Sequence, residues 1–201
     1  MKNRRIIVAS NNKGKINEIK NIFKDYEIFS ISDIEKEYGK NLIVTEEQDT
    51  FEGNALEKAK SLYNQLQEKT FCIADDSGIS IDALDGFPGV HTARWLDADD
   101  HEKNIQLLKK LEGVEKDKRT CHYTTAISFV GKDVEKVFEY TLDGIISSTP
   151  RGENGFGFDE IFELSNKSTL AELPIEEKLK YSPRKKALEQ MKEFLKEEGL
   201  I

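Results

Sequence analysis

The chain has 201 residues, 37% of them hydrophobic and 34% charged, with a formal net charge of -8. That length fits one domain, or one domain with two lobes, and no apolar run is long enough to cross a bilayer. The acidic balance argues against a long nucleic acid as partner, but a few cations in one cleft and a divalent metal suffice to hold a small anion.

The N-terminal MKNRRIIVASNNKG has too short an apolar run for a signal peptide, and Arg4–Ser10 reads as a buried first strand. Ile16, Ile19, Ile22, Phe23 and Tyr26 then recur at helical spacing. The stretch 32–49 is polar and irregular, a lobe connection or a flexible rim. Residues 51–68 give the clearest helix, with Ala55, Leu56, Ala59, Leu62, Tyr63 and Leu66 on one stripe and Asp49 and Glu52 as a capping pair. TFCIA (70–74) is a second buried strand, after which ISIDALDG alternates apolar and polar residues. Residues 100–113 predict a helix ended by Gly113. RTCHYTTAISFVGK and KVFEYTLDGIIS predict two long antiparallel strands across a short polar turn. Ser182 and Pro183 suit the N-cap and first position of a last helix carrying Ala187, Leu188, Met191, Phe194 and Leu195. The order β-α-β-α-β-β-α gives an α/β class with a mixed sheet. Cys72 and Cys121 fall in strand-like stretches, without metal-ligand spacing, and read as buried thiols of a cytosolic, reducing compartment.

Ligands of open α/β sheets collect beyond the carboxyl ends of the strands. Three segments are expected to leave such ends as loops: SNNKGK (10–15), DDSG (75–78) and GENGFGFD (152–159). In the first, Ser10, Asn11 and Asn12 run into a helix start beside Lys13, Gly14 and Lys15, where free N–H groups favour phosphate; a capped, solvated helix start is the plainer alternative. In the second, an extended backbone sends Asp75 and Asp76 to opposite sides, one to bind a metal or activate water and the other to brace backbone N–H groups. Hard carboxylate oxygens suit Mg²⁺, which takes one or two of them with phosphate and water. The alternative is an Asx-turn closing a strand. Glu46 offers one further carboxylate, and Lys58 either meets a phosphate or faces water. In the third segment the glycines allow close backbone approach, and a phenylalanine either stacks on a base or joins the core.

The motifs in their joint order carry more than any one of them. Ser-x-Asn-x-x-Lys (10–15), Thr-Phe-x-x-Asn-Ala-x-x-Lys-Ala (50–59) with Glu46 before it, Ala-Asp-Asp-Ser-Gly (74–78), DALDGFPGVHTARW (82–95), Gly-Phe-Gly-Phe-Asp (155–159) and Ser-x-Arg-x-x-Ala-Leu (182–188) resemble the inosine/xanthosine triphosphate pyrophosphatase family, the dITP/XTP diphosphatases. The resemblance implies a single elongated α/β domain of two lobes, a mixed β-sheet with flanking helices, and an active-site cleft between the lobes. It implies a homodimer that uses Mg²⁺ and water to split non-standard purine nucleoside triphosphates into monophosphate and pyrophosphate. By the same resemblance Ser10, Asn11, Asn12, Lys13, Gly14, Lys15 and Lys58 bind substrate phosphates. Glu46 and Asp76 are the metal-linked acids, with Asp76 the base, and Ser77 touches substrate. Phe156 stacks on the base, Gly157, Phe158 and Asp159 line its pocket, and Lys178, Pro183 and Arg184 close the site.

Four departures from the family pattern stand out. Gly53 replaces the usual Glu, Glu47-Gln48 the usual Thr-Gly, His91 a tyrosine, and Pro183 the His of Ser-His-Arg that helps recognise the base. With Pro183, base choice is expected to rest on backbone and Arg184. Two competing readings are a Maf-like pyrophosphatase, against which GFGFD and the terminal Ser-x-Arg argue, and a nucleotide sensor, which needs no base.

Overall fold

A computed structural model describes residues 5–67 and 70–201. Arg4 of the first predicted strand and Glu68 of the predicted 51–68 helix lie outside them. The elements are β1 (Arg5–Val8), α1 (Lys13–Ile22), β2 (Glu27–Ser30), α2 (Ile31–Tyr38), α3 (Phe51–Gln65), β3 (Phe71–Ile81), α4 (Asp100–Lys110), β4 (Thr120–Val130), β5 (Glu135–Ile146), β6 (Phe162–Glu163), α5 (Ile175–Lys178) and α6 (Pro183–Glu197), with short 3-10 turns between.

One six-stranded sheet runs in the order β2-β1-β3-β4-β5-β6. β1 is parallel to both β2 and β3, and β5 is antiparallel to β6, so the sheet is mixed. β4 and β5 are hydrogen-bonded neighbours joined by four residues, with the Gly131 N–H donating to the Val134 carbonyl at 2.8 Å. So short a connection permits only the antiparallel pairing expected for these strands.

The chain folds as two compact units. The first holds the described chain up to Asp76, Thr125–Tyr140 and Arg184–Ile201; the second holds Ser77–Thr124 and Thr141–Pro183. In the first unit the strand residues alternate between two cores, as a period of two requires. Val8 and Ile73 pack with Ile16, Ile19, Leu188 and Met191 of α1 and α6. Ile7, Cys72 and Ala74 pack instead with Ile34 of α2 and Ala59 and Leu62 of α3. The second unit has its own core, where Ile79, Ile81, Leu107, Ile146 and Phe162 meet. Both cysteines are buried thiols, as expected, one in each unit.

The polar stretch 32–49 is more ordered than its composition suggests. β2 immediately precedes α2, whose start is a capping box: Ser30 Oγ accepts from the Asp33 N–H, and Asp33 accepts from the Ser30 N–H. Its end is Gly39 in the left-handed region. The helix buries only Ile34, too little for a periodic signal. The cap of α3 is Thr50, which accepts from the Gly53 N–H, and not Asp49.

Candidate active site

DDSG is not a loop. β3 continues through it to Ile81, so the alternation that packs Ile73 on one face and Ala74 on the other carries on into the acids. Asp75 follows Ile73 to the side of α1 and α6, where it pairs with Arg184 Nε at 2.6 Å and with the Lys15 ammonium. Asp76 follows Ala74 to the side of α3, where its Oδ1 accepts from Lys58 Nζ at 2.8 Å. The expected divergence of the two carboxylates is therefore present. The partners of Asp75 named here are side-chain cations, where backbone N–H groups were expected.

Their pKa shifts are opposed. Burial pushes Asp75 up, but Arg184 and Lys15 outweigh it and hold the carboxyl well below the usual range. Burial also pushes Asp76 up, and there it wins: Lys58 pulls down, the neighbouring charge of Glu46 pushes up, and the net shift is upward. Asn54 is close enough to draw Asp76 down a little, yet neither Asn54 Nδ2 nor Asp76 Oδ2 makes a hydrogen bond of proper geometry, and both atoms are buried. A buried carboxylate oxygen without a partner is costly and suits a ligand.

Lys58 is 8% exposed, so it is not a solvated helix lysine. It bridges Asp76 and Glu46 Oε2, the latter at 3.3 Å. Glu46 lies on an irregular segment that α3 holds in place. Asn54 Oδ1 accepts from the Gln48 N–H, and Glu57 Oε2 accepts from the Glu47 N–H, both at 2.9 Å. Gly53 belongs to the same device. A Cβ there would lie 2.8 Å from Gln48 Cβ and 2.9 Å from Thr50 Oγ1. The side chain of Gln48 thus fills the space that one at 53 would need, which links the departures at 48 and 53.

No group of three or more His, Cys, Asp or Glu is arranged for a metal among the described residues. Mg²⁺ needs no such group when phosphate and water complete its shell. Asp76 Oδ2, buried and unpartnered, with Glu46 beside the same lysine, is a hard-oxygen donor set that fits it.

At the start of α1, Asn12 is the N-cap and accepts from the Lys15 N–H at 3.1 Å. Ser10 Oγ accepts from the Asn12 N–H, and Asn11 Oδ1 accepts from the Ser32 N–H at 2.9 Å, tying α1's entry to α2. Lys13 and Gly14 are exposed, and as the first two helical residues their N–H groups have no intrahelical acceptor. Arg184, expected to close the site, is 3% exposed and directs its guanidinium at Asp75 and at Glu18 Oε1.

The second unit carries the remaining candidates. Ser77 is half-buried on β3, and Pro183 opens α6 as expected. The two phenylalanines of GFGFD divide between the alternatives open to them. Phe156 is 51% exposed, whereas Phe158 belongs to the core. Asp159 is buried and accepts from the Phe156 N–H at 2.8 Å and from the Lys178 ammonium. Lys178 also sits over the Phe156 ring, 4.8 Å from its centroid. Gly155 has φ +95°, and a Cβ there would collide with both the Asp159 carboxylate and the Lys178 ammonium. Asp159 is thus a pillar of the loop. Asp100 and Asn104 of α4, which the sequence did not single out, also bond to this loop.

The Ham1 family profile matches residues 6–194. The dITP/XTP pyrophosphatase of Thermoanaerobacter sp. (strain X514) is 41% identical over 196 residues, covering 95% of this chain and 96% of that protein. The dITP/XTP pyrophosphatase of Campylobacter jejuni subsp. jejuni serotype O:6 is 38% identical over 199 residues, covering 96% and 97%. The solved structure of the Staphylococcus aureus Ham1 protein is similar at a TM-score of 0.86 and 37% identity, covering 96% of this chain and 99% of that one.

Proposed function

Because the chain belongs to the Ham1 family, we propose that it hydrolyses non-standard purine nucleoside triphosphates, dITP, ITP and XTP, to the monophosphate and pyrophosphate. The observation that carries this reading is Asp76: a buried carboxylate with one oxygen on Lys58 and the other unpartnered.

Water adds across the bond between the α- and β-phosphates. The Asp76 carboxylate accepts its proton, and the leaving phosphate oxygen takes the electron pair of the broken P–O bond. Burial raises the basicity of Asp76, an effect that Lys58 offsets only in part. The exposed start of α1 offers the N–H groups of Lys13 and Gly14 and the Lys13 ammonium to the polyphosphate, whereas the Lys15 ammonium, expected to bind phosphate, is held by Asp75. Glu46 and Asp76 hold a divalent cation, Mg²⁺, which supplies positive charge against the phosphates when bound. In the second unit Phe156 offers an exposed ring for the purine, with Lys178 against it. The family resemblance supports a homodimer, which sedimentation at twice the 23.0 kDa chain mass checks.

The test is product analysis with dITP, XTP and dATP. The expected result is pyrophosphate as first product from dITP and XTP, abolished by excess chelator and restored by Mg²⁺. Orthophosphate as first product, or full activity in chelator, overturns the reading.

A further inference from the structure

The exposed Phe156 ring stands on a loop that has little intrinsic rigidity. Its flanking residues are Gly155 and Gly157, with φ +95° and +64°. Such a loop presents an aromatic face in one place only if something outside it holds the backbone. That something is α4. The Gly157 N–H donates to Asp100 Oδ2 at 2.7 Å, and the Gly157 carbonyl accepts from Asn104 Nδ2 at 2.8 Å. Residues 100 and 104 are four apart, so they share one flank of the helix. One helix flank therefore holds both polar ends of Gly157, the residue next to Phe156.

The anchor is itself fixed. Asn104 is fully buried, its Nδ2 also donates to Glu160 Oε1 at 2.8 Å, and Leu107 one turn on lies in the core. From the other side, the Phe156 N–H is held by Asp159. All these residues lie within the second unit.

We propose that Asp100 and Asn104 are positioning residues for base recognition: they clamp Gly157 from both ends and so preorganise the Phe156 ring against which the purine stacks. Neither residue touches substrate in this account. The inference rests on the proposed hydrolysis of purine nucleoside triphosphates for its substrate, and on the geometry alone for the clamp.

Asp100 is exposed and its replacement leaves the core intact, whereas Asn104 is buried. The informative pair is thus Asp100→Ala, which removes the acceptor, and Asp100→Asn, which keeps one. Backbone hydrogen exchange of residues 154–161 reads the clamp without turnover. The Gly157 amide exchanges faster in Asp100→Ala, and near the wild-type rate in Asp100→Asn. In kinetics, Asp100→Ala raises KM for dITP roughly tenfold, the worth of one charged hydrogen bond, with kcat within about twofold. Its preference for dITP over dATP falls, and Asp100→Asn restores both. Unchanged exchange in Asp100→Ala overturns the proposal. So does equal loss in the two variants, or a fall in kcat common to both nucleotides at constant KM, which is what a merely structural role gives. If the wild type leaves dITP intact, the proposed activity fails. The clamp is then judged by the exchange rates and by calorimetric binding of dITP to wild type and Asp100→Ala, where equal affinity overturns it.

Discussion

Asp75→Asn and its neighbour Asp76→Asn are expected to act in opposite ways, and Asp75 gives the sharper number. Its side chain is fully buried, and so nearly is that of its partner Arg184, at 4% exposure. Removing one member of a buried ion pair costs about 3–5 kcal/mol, because the other charge stays behind without compensation. Asparagine keeps the volume and one acceptor oxygen, so no cavity opens and the low end, about 3 kcal/mol, is expected. For a chain of this length that lowers Tm by roughly 6–12 °C. Urea unfolding should show a lower midpoint at unchanged slope. The pH dependence has a definite sign. The folded Asp75 carboxyl lies below its unfolded value, so its contribution is complete above about pH 4. It is lost progressively as pH falls from there to the far lower pH at which the folded carboxyl itself titrates. The gap between wild type and Asp75→Asn should therefore be constant through neutral pH and close in strong acid. A loss under about 1 kcal/mol, or a gap that closes between pH 5 and 7, refutes the account.

Asp76→Asn removes the proposed base, and kcat should fall about 10²–10⁴-fold. Its Tm should move far less than that of Asp75→Asn, because a carboxyl raised in the fold costs stability once pH exceeds its unfolded value. Retention of a tenth of wild-type kcat would remove Asp76 from its role. Phe156→Ala takes away the exposed ring, and the dITP KM should rise about tenfold, the scale of one base–aromatic stack; an unchanged KM says the base does not stack there. Gly53→Glu should destabilise by collision with Gln48, and Gln48→Gly should relieve it; additive effects in that double-mutant cycle would mean the two positions do not share space. Pro183→His should raise the dITP:dGTP ratio of kcat/KM, and a constant ratio shows that position 183 does not read the base.

The sequence by itself determined the class, the strand and helix positions that bury most apolar surface, and the family. Periodicity in 51–65, the apolar runs of β1 and β3, and the paired long strands are local signals, and each is repeated over enough residues to be read without the fold. It also placed Asp75 and Asp76 on opposite sides, since alternation along an extended chain is a property of the backbone alone. Other features rested on contacts between distant residues. α2 was invisible because it buries one isoleucine and is held by its caps. β3 ran on through DDSG because cations far along the chain compensate its acids: Lys15, Lys58 and Arg184 come from three helices. A carboxylate pair among Ser and Gly looks locally like a turn, and only burial beside those cations makes it a strand. The same holds for Phe156 and Phe158, each preceded by a glycine, of which one is exposed and one is core. Asp100 and Asn104 carry no motif, and their meaning appears only where the fold brings α4 against Gly157. Local chemistry is written in the residue types, but which oxygen is paired, which ring is exposed and which amide is held depend on partners that sequence distance hides.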